Sequence, residues 1–164
     1  LDQVARVLVD RELRLIESLD CLIGEASQEI EQRAKNEPKA QLLMTMPGMG
    51  YYTAMLLIAE LGDVSRFPLA KQVVAYAGLA PRVRSSGGAV HIGRTTKQGS
   101  SYLRWILTEA AHHAVRLSPY FNALFRKKLV RRGLQRAMIS VTRQFLTCAY
   151  GILKHNRPYE EPRG

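Results

Sequence analysis

Acidic residues are almost absent from the second half of this 164-residue sequence. Between residues 64 and 156, Glu109 is the only carboxylate against sixteen Lys and Arg side chains, whereas nine of the fourteen acidic residues fall within residues 1–40. Protein surfaces normally mix both signs, so this segregation and the net charge of +10 favour a polyanionic partner, nucleic acid before an acidic membrane surface. It also excludes a two-metal carboxylate site built from residues 64–156 alone, because such a site needs several acidic ligands.

Cysteine motifs for zinc, histidine pairs with metal-ligand spacing and long apolar runs are also missing. The two cysteines, Cys21 and Cys148, match no zinc-binding spacing and lie among apolar residues of helical pattern, so we expect buried thiols and no structural zinc. His112 and His113 are adjacent and would point about 100° apart on a helix, which rules out joint chelation. No apolar run approaches the roughly 20 residues of a bilayer span, so we expect no membrane insertion. The sequence opens at Leu1 without a signal-peptide pattern, and we interpret it as a fragment of a longer protein.

Residues 1–40 form the first segment of the chain. Leu1, Leu8, Leu15 and Leu22 recur at seven-residue spacing, and charged residues fill the intervening positions. This pattern predicts a long amphipathic helix that ends at about residue 36. The helix is either a coiled coil, which forms a homo-oligomer or serves as a linker, or a plain helix packed on its own domain.

The stretch "LLMTMPGMGYYTAMLLIAELGD", residues 42–63, predicts two helices joined by a tight turn. Its hPGhGxxxA form is that of a helix-hairpin-helix element, in which glycines allow close backbone approach and N–H groups at the start of the second helix face a phosphate. We expect Gly48 and Gly50 to present backbone N–H groups to a DNA strand. The same hairpin can also be purely structural.

The stretch "PRVRSSGGAVHIGRTTKQGSSYLR", residues 81–104, contains hydroxyls, glycines and cations but no carboxylate. It predicts a short irregular or β-hairpin insert. Its residue types fit a turn that grips phosphate, and they also allow a serine nucleophile at Ser86, although the only nearby candidate base is His91. The cations that we expect to hold phosphate here are Arg82, Arg84, Arg94, Lys97 and Arg104.

The remaining sequence predicts helices with recognisable ends. A short helix at 70–77 stops at Gly78, Ser100 caps the next helix, Ser118-Pro119 begins another, and Gly133 separates it from a last helix at about 134–154. The fold class is therefore mostly α: a long amphipathic helix, then a compact helical domain at 41–155, then a tail at 156–164. One of these helices exposes a basic cluster that we expect to contact nucleic-acid backbone: Arg126, Lys127, Lys128, Arg131 and Arg132.

Four motifs in order, "MPGMG", "VVAYAGLAPRVRSSGG", "GRTTKQGSSYLRWIL" and "AMISVTRQFL", resemble the C-terminal domain of DEDD-type transposases. This is the insertion-sequence 110/1111 class, whose relatives include the Piv-type DNA invertases and the bridge-RNA-guided recombinases. The resemblance covers roughly residues 40–155 with its spacing intact.

The resemblance implies a specific division of chemistry. In that family an N-terminal ribonuclease H-like domain holds Mg²⁺ with an acidic tetrad, a coiled coil follows, and the C-terminal domain supplies a serine that attacks the scissile phosphodiester. The family's serine–glycine step corresponds to Ser86-Gly87, with Ser85 as the neighbouring competitor, and a later motif corresponds to residues 93–99. The implied partners are DNA and a possible guide (bridge) RNA in a bacterial cytoplasm. Mg²⁺ would lie in a domain absent from these residues, no metal would be held here, and this fragment alone would be inactive. The alternative function is a non-catalytic helix-hairpin-helix DNA-binding module.

Overall fold

A computed structural model describes residues 2–86, 89–96 and 98–162, with side chains described outside residues 82–94. The mostly helical fold expected from the sequence is confirmed. Within the described ranges an antiparallel β-hairpin interrupts the helices, and a 3-10 turn spans Val64–Arg66. The elements in chain order are α1 (Gln3–Asn36), α2 (Pro38–Met44), α3 (Tyr51–Leu61), α4 (Ala70–Tyr76), β1 (Pro81–Ser86), β2 (Ala89–Thr95), α5 (Ser101–Leu117), α6 (Pro119–Arg132) and α7 (Leu134–His155).

Hydrogen bonds and backbone conformations of nearby residues determine where these helices begin and end. The Ser100 hydroxyl accepts a hydrogen bond from the Leu103 N–H at 3.1 Å, which caps α5. The Ser118 hydroxyl accepts from the Phe121 N–H at 3.3 Å and so caps α6, with Pro119 in the first helical position. Gly133 ends α6 with a φ of +73°, a conformation that side chains other than glycine rarely adopt.

The core forms where α5, α6 and α7 pack together and α2, α3 and α4 close over them. Phe121 of α6 and Phe145 of α7 are fully buried, with their ring centroids 5.8 Å apart. Burying one such side chain stabilises the fold by about 1.5–3 kcal/mol, so these residues contribute strongly to the stability of the helical core from which the hairpin extends. The other large side chains with no exposed surface include Leu43, Leu57, Leu103, Leu107, Val141 and Leu146.

Helix α1 projects most of its apolar side chains into solvent. Ala34, near its C-terminal end, is its one fully buried residue among those described. Cys21 is exposed and Cys148 is half-buried, so the expectation of two buried thiols is wrong for Cys21. The reason is that α1 packs on α2 and α3 only near its end and leaves the apolar stripe around Cys21 uncovered. About half of the surface of each of the following is exposed: Val4, Val7, Leu8, Val9, Leu13, Leu15, Ile16, Leu19, Leu22 and Ile23.

Residues 156–162 form neither helix nor strand, yet they are tied to the domain. The Tyr159 N–H donates to the Thr45 hydroxyl at 2.8 Å, and the Tyr159 ring stacks on Phe121. The Glu161 carboxylate accepts from the Ser118 hydroxyl and from the Tyr120 N–H, so it adds a negative charge at the N-terminus of α6. Among the described helices, none is both long and apolar enough to cross a membrane.

Candidate nucleic-acid interface

The backbone of residues 81–95 forms a two-stranded antiparallel hairpin. Ser86 ends β1 and pairs with Ala89, so it lies beside the Gly87-Gly88 step, which falls outside the described residues. Arg84 pairs with His91 in the same register. The candidate nucleophile is therefore the last paired residue of its strand, next to the connection between the strands.

The hairpin also carries most of the cations that we expected to hold phosphate. Arg82 and Arg84 lie on β1, and Arg94 lies on β2. Their side chains, the hydroxyls of Ser85 and Ser86, and the whole of Lys97 fall outside the described part of the chain. These assignments remain predictions that rest on the sequence and on the backbone register.

Two glycines hold the base of the hairpin against the helices. Gly78 has a φ of +69° and Gly99 a φ of +107°. A Cβ on Gly78 would overlap the Gln98 carbonyl oxygen, and one on Gly99 would overlap the carbonyl oxygen of Tyr76. Because the chain entering the hairpin crosses the chain leaving it at van der Waals distance, neither position accommodates a side chain.

Arg104 lies at this crossing. Its Nη1 donates to the Gly99 carbonyl at 3.0 Å and, at the long distance of 3.4 Å, to the Ala77 carbonyl. Through these contacts α5 ties together the two chain segments that flank the hairpin. The sequence placed Arg104 on phosphate, but the contacts that the structure gives it are to backbone carbonyls.

Arg143 of α7 also contacts the chain segment that enters the hairpin, and sequence reasoning gave it no role. Its Nε donates to the Leu79 carbonyl at 2.5 Å, two residues before β1 begins. Burial, and secondarily the charge of Arg132, lower the pKa of the Arg143 guanidinium. The sequence feature that could have identified Arg143 is a single cation between Val141 and Phe145, which belong to the buried face of α7.

The two glycines of the turn between α2 and α3 differ in their surroundings. Gly48 has a φ of +84°, and a Cβ there would lie 2.5 Å from the Ala110 carbonyl oxygen and 2.6 Å from the Ala114 nitrogen. Gly50 is exposed, has no neighbour within 4 Å of an added Cβ, and is the N-cap of α3. Gly48 therefore packs the turn on α5, whereas Gly50 opens the start of α3 to solvent.

The basic cluster of α6 is a solvent-facing ridge. Four of its cations are exposed and the fifth, Lys128, is half-buried. Like charges three and four residues apart on a helix repel, at a cost of about 0.2–0.5 kcal/mol per pair. Within residues 2–86, 89–96 and 98–162 both ion pairs lie on α1, Arg33 with Glu29 and Lys35 with Glu31. The α6 cluster is thus a surface whose charge an external anion can neutralise.

The residues described do not fit a magnesium site. No three side chains among the His, Cys, Asp and Glu of the described ranges come together in a way that could hold a metal ion. Glu109 is the one carboxylate between residues 64 and 156 of the sequence, and a magnesium site needs several oxygen ligands. What these residues can do is bind phosphate with cations and backbone N–H groups and present hydroxyls to it.

Proteins with similar sequences include transposases and a pilin gene-inverting protein. Residues 40–126 match the family described as "Transposase IS116/IS110/IS902 family". The chain is 30% identical over 144 residues to the "Transposase for insertion sequence element IS1111A" of Coxiella burnetii, an alignment that covers 85% of this chain and 40% of that protein.

Two further relatives show the same pattern. The "Pilin gene-inverting protein" of Moraxella bovis is 33% identical over 75% of this chain and 39% of its own length. The "Probable family 20 transposase" of Pseudomonas aeruginosa is 32% identical over 62% of this chain and 30% of its own length. The chain therefore spans no more than about two-fifths of these relatives. It belongs to the IS116/IS110/IS902 transposase family.

Proposed function

We propose that this chain is the nucleic-acid-binding part of a bacterial DNA transposase or site-specific recombinase, and that it supplies Ser86 as the nucleophile for strand cleavage and transfer. The observation that carries this proposal is the position of Ser86. It lies at the end of β1, beside a Gly-Gly step, in a hairpin whose base is held by Arg104 and Arg143. Family membership supports the reaction class.

The proposed chemistry is a phosphoryl transfer to the serine. The Ser86 Oγ attacks the scissile phosphorus, a serine phosphodiester forms, and the bond from phosphorus to the leaving deoxyribose oxygen breaks. The serine proton goes to a base, and the leaving oxygen is released as a hydroxyl. In strand transfer a DNA hydroxyl reverses the attack and regenerates the serine. Because one phosphodiester bond forms for each one that breaks, the reaction requires no external energy source.

The phosphate grip comes from cations on and around the hairpin. Arg82, Arg84, Arg94 and Lys97 bind the scissile phosphate and stabilise the charge that develops on its oxygens. Arg104 orients this grip by holding the segments on either side of the hairpin. The α6 cluster contacts the backbone of the DNA duplex or of a guide RNA, with the loss of affinity at high salt that phosphate contacts bring.

The N-terminal helix and an acidic domain complete the enzyme. The apolar side chains that α1 exposes pair with a second copy of the chain, which makes a homo-oligomer. We expect Mg²⁺ to bind to an acidic domain of the full-length protein, as the resemblance to DEDD-type transposases implies. The whole assembly acts on DNA in the bacterial cytoplasm, and this chain alone does not cleave.

The test is a covalent adduct assay with the full-length protein. The protein, its acidic domain and any native RNA are incubated with DNA carrying the element's junction, and the reaction is stopped in denaturant. We expect a protease-sensitive protein–DNA species for the wild type and for Ser85→Ala, and none for Ser86→Ala. The Ser85→Ala variant is the matched control, because it removes the neighbouring hydroxyl from the same strand. Recombination without an adduct, or an adduct that survives Ser86→Ala, would refute the serine assignment.

A second candidate function is a non-catalytic helix-hairpin-helix DNA-binding module. The exposed Gly50 N-cap of α3 favours it, because no side chain caps the first turn of that helix in the described part of the chain and its N–H groups can face a phosphate. In that case Ser86 is only a turn residue. Recombination by Ser86→Ala at the wild-type rate would select this second function.

A further inference from the structure

Two aromatic side chains stack on the surface of α5. Tyr102 and Trp105 lie one turn apart, with ring centroids 5.5 Å apart and ring planes inclined by 29°. Tyr102 is 45% exposed and Trp105 is 52% exposed. The core does not need these rings, because the buried face of α5 is made by Leu103, Ile106 and Leu107.

The aromatic pair is fixed in position by a third ring. The Tyr52 and Tyr102 hydroxyls share a hydrogen bond, which joins the first turn of α3 to the first turn of α5. That hydrogen bond, more than burial, raises the pKa of the Tyr52 phenol. A ring held by such a contact loses little conformational entropy when a ligand stacks on it.

The surroundings of the pair indicate the kind of ligand. Neither α3 nor α5 has an acidic residue in its first turn, so two helix N-termini with their positive dipole ends flank the tyrosines. The neighbours of Trp105 along this face of α5 are polar: the exposed Ser101, Glu109 and His112 and the half-buried Thr108. A protein-binding surface would extend the apolar area with aliphatic side chains, as α1 does. A small aromatic area in a basic body instead matches one or two nucleobases with their phosphates.

We propose that Trp105, with Tyr102 behind it, is a stacking platform for unpaired bases of single-stranded nucleic acid. This inference rests on the nucleic-acid binding of the proposed function and does not depend on Ser86. Every base has a π-face, so the platform is indifferent to sequence, and it takes bases only where the duplex is open. It therefore assigns to α5 the strand that is separated during recombination.

Glu109 influences on which side of Trp105 the backbone of the bound strand lies. This carboxylate follows Trp105 by one turn of α5 and is exposed. It repels phosphate, so the backbone of a strand stacked on Trp105 runs toward the first turns of α3 and α5 and away from the C-terminal half of α5.

The test uses the fact that Trp105 is the only tryptophan in the chain. The chain is titrated with a labelled single-stranded oligothymidylate and with a labelled duplex of equal length. Anisotropy of the label reports binding, and tryptophan emission reports stacking. The variants are Trp105→Leu, which keeps an apolar side chain without a π-face, and Trp105→Phe, which keeps a ring. Far-UV circular dichroism confirms that each is folded.

We expect the single strand to quench the tryptophan emission of the wild type as it saturates the protein. Trp105→Leu should bind the single strand about 5- to 150-fold more weakly, the range for loss of one stacked base, and Trp105→Phe should lose less. Duplex affinity should change less than about two-fold in both, because phosphate contacts dominate it.

The contrary results separate two failures. If the duplex binds but the single strand binds without quenching, or if Trp105→Leu binds the single strand as tightly as the wild type, the platform is wrong and the proposed function stands. If neither nucleic acid binds at low salt, the basic surface is not a nucleic-acid interface, and the platform falls together with the binding role proposed for this chain.

Discussion

The change of Gly48 to Ala tests how the turn between α2 and α3 is built. Gly48 combines a φ of +84° with backbone atoms of α5 at 2.5 and 2.6 Å from the position of a Cβ. A side chain in left-handed backbone costs about 1–2 kcal/mol. Forcing the turn away from α5 adds about 1–3 kcal/mol, as overpacking does in other cores. We therefore expect Gly48→Ala to lower the free energy of unfolding by about 2–5 kcal/mol.

Gly50→Ala, two residues along the same turn, is the matched control. Gly50 has a φ of −86°, which any residue adopts, and nothing lies within 4 Å of an added Cβ. Alanine is a poorer N-cap than glycine, which destabilises the folded state. It also lowers the conformational entropy of the unfolded chain, which stabilises the protein by about 0.4–1 kcal/mol, so the two effects largely cancel. We expect a free energy of unfolding within about 1 kcal/mol of the wild type.

Urea unfolding followed by circular dichroism measures both variants. For a chain of this length the loss in Gly48→Ala corresponds to a fall in melting temperature on the order of 10 °C. The pair also separates packing from binding, because only Gly50→Ala leaves a native fold in which a change of DNA affinity can be assigned to the turn. Equal urea midpoints for the two variants would refute the close approach of Gly48 to α5.

Three other changes have defined outcomes. Among the described residues the buried Tyr159 hydroxyl has no hydrogen-bond partner of normal geometry. Burial is the main cause that raises the pKa of this phenol, nearby charges add to it, and the neighbouring Ser118 acts in the opposite direction. The folded state therefore holds the phenol neutral, a contribution that is complete below the ordinary value of 10.0 and is lost as the pH rises above it. Tyr159→Phe should unfold in urea no more easily than the wild type at pH 7 and should lose less stability in alkali. Arg143→Met should lower the free energy of unfolding by about 1 kcal/mol, measured the same way, because it leaves the carbonyl of the buried Leu79 without its donor; unchanged stability would contradict that contact. Leu15→Glu, on the exposed stripe of α1, should abolish self-association in sedimentation equilibrium without lowering helicity, and an unchanged mass would refute the proposed oligomer.

The features that the sequence predicted correctly depend on neighbours along the chain. Ser100 caps a helix through a hydrogen bond to a residue three positions away, and Gly133 ends one through its own backbone conformation. Residue types and short spacings are enough to predict such contacts. The same information also indicated an insert at residues 81–100, and it left the choice between a hairpin and an irregular loop open.

The features that sequence reasoning missed depend on contacts between distant residues. Arg143 reaches Leu79 across 64 positions, and the Tyr159 N–H reaches Thr45 across 114. No periodicity encodes these pairs, because they form only when separate helices pack together. Cys21 shows the converse, since an apolar neighbourhood in sequence predicted burial that the fold does not provide.

The positions of the arginines limit which residues can hold the scissile phosphate. Arg104 and Arg143 donate to backbone carbonyls on either side of the hairpin, so at least part of each guanidinium serves the fold. A guanidinium fixed in this way keeps its charge but cannot turn freely to follow a phosphate through a reaction. In the proposed mechanism the contacts to the scissile phosphate then fall to the cations on the hairpin itself, Arg82, Arg84 and Arg94, while the fixed arginines add constant positive charge at the base of the hairpin. Under that proposal the two groups of arginines have different tasks: those fixed by the fold attract the phosphodiester, and those on the hairpin bind it while it is transferred to Ser86.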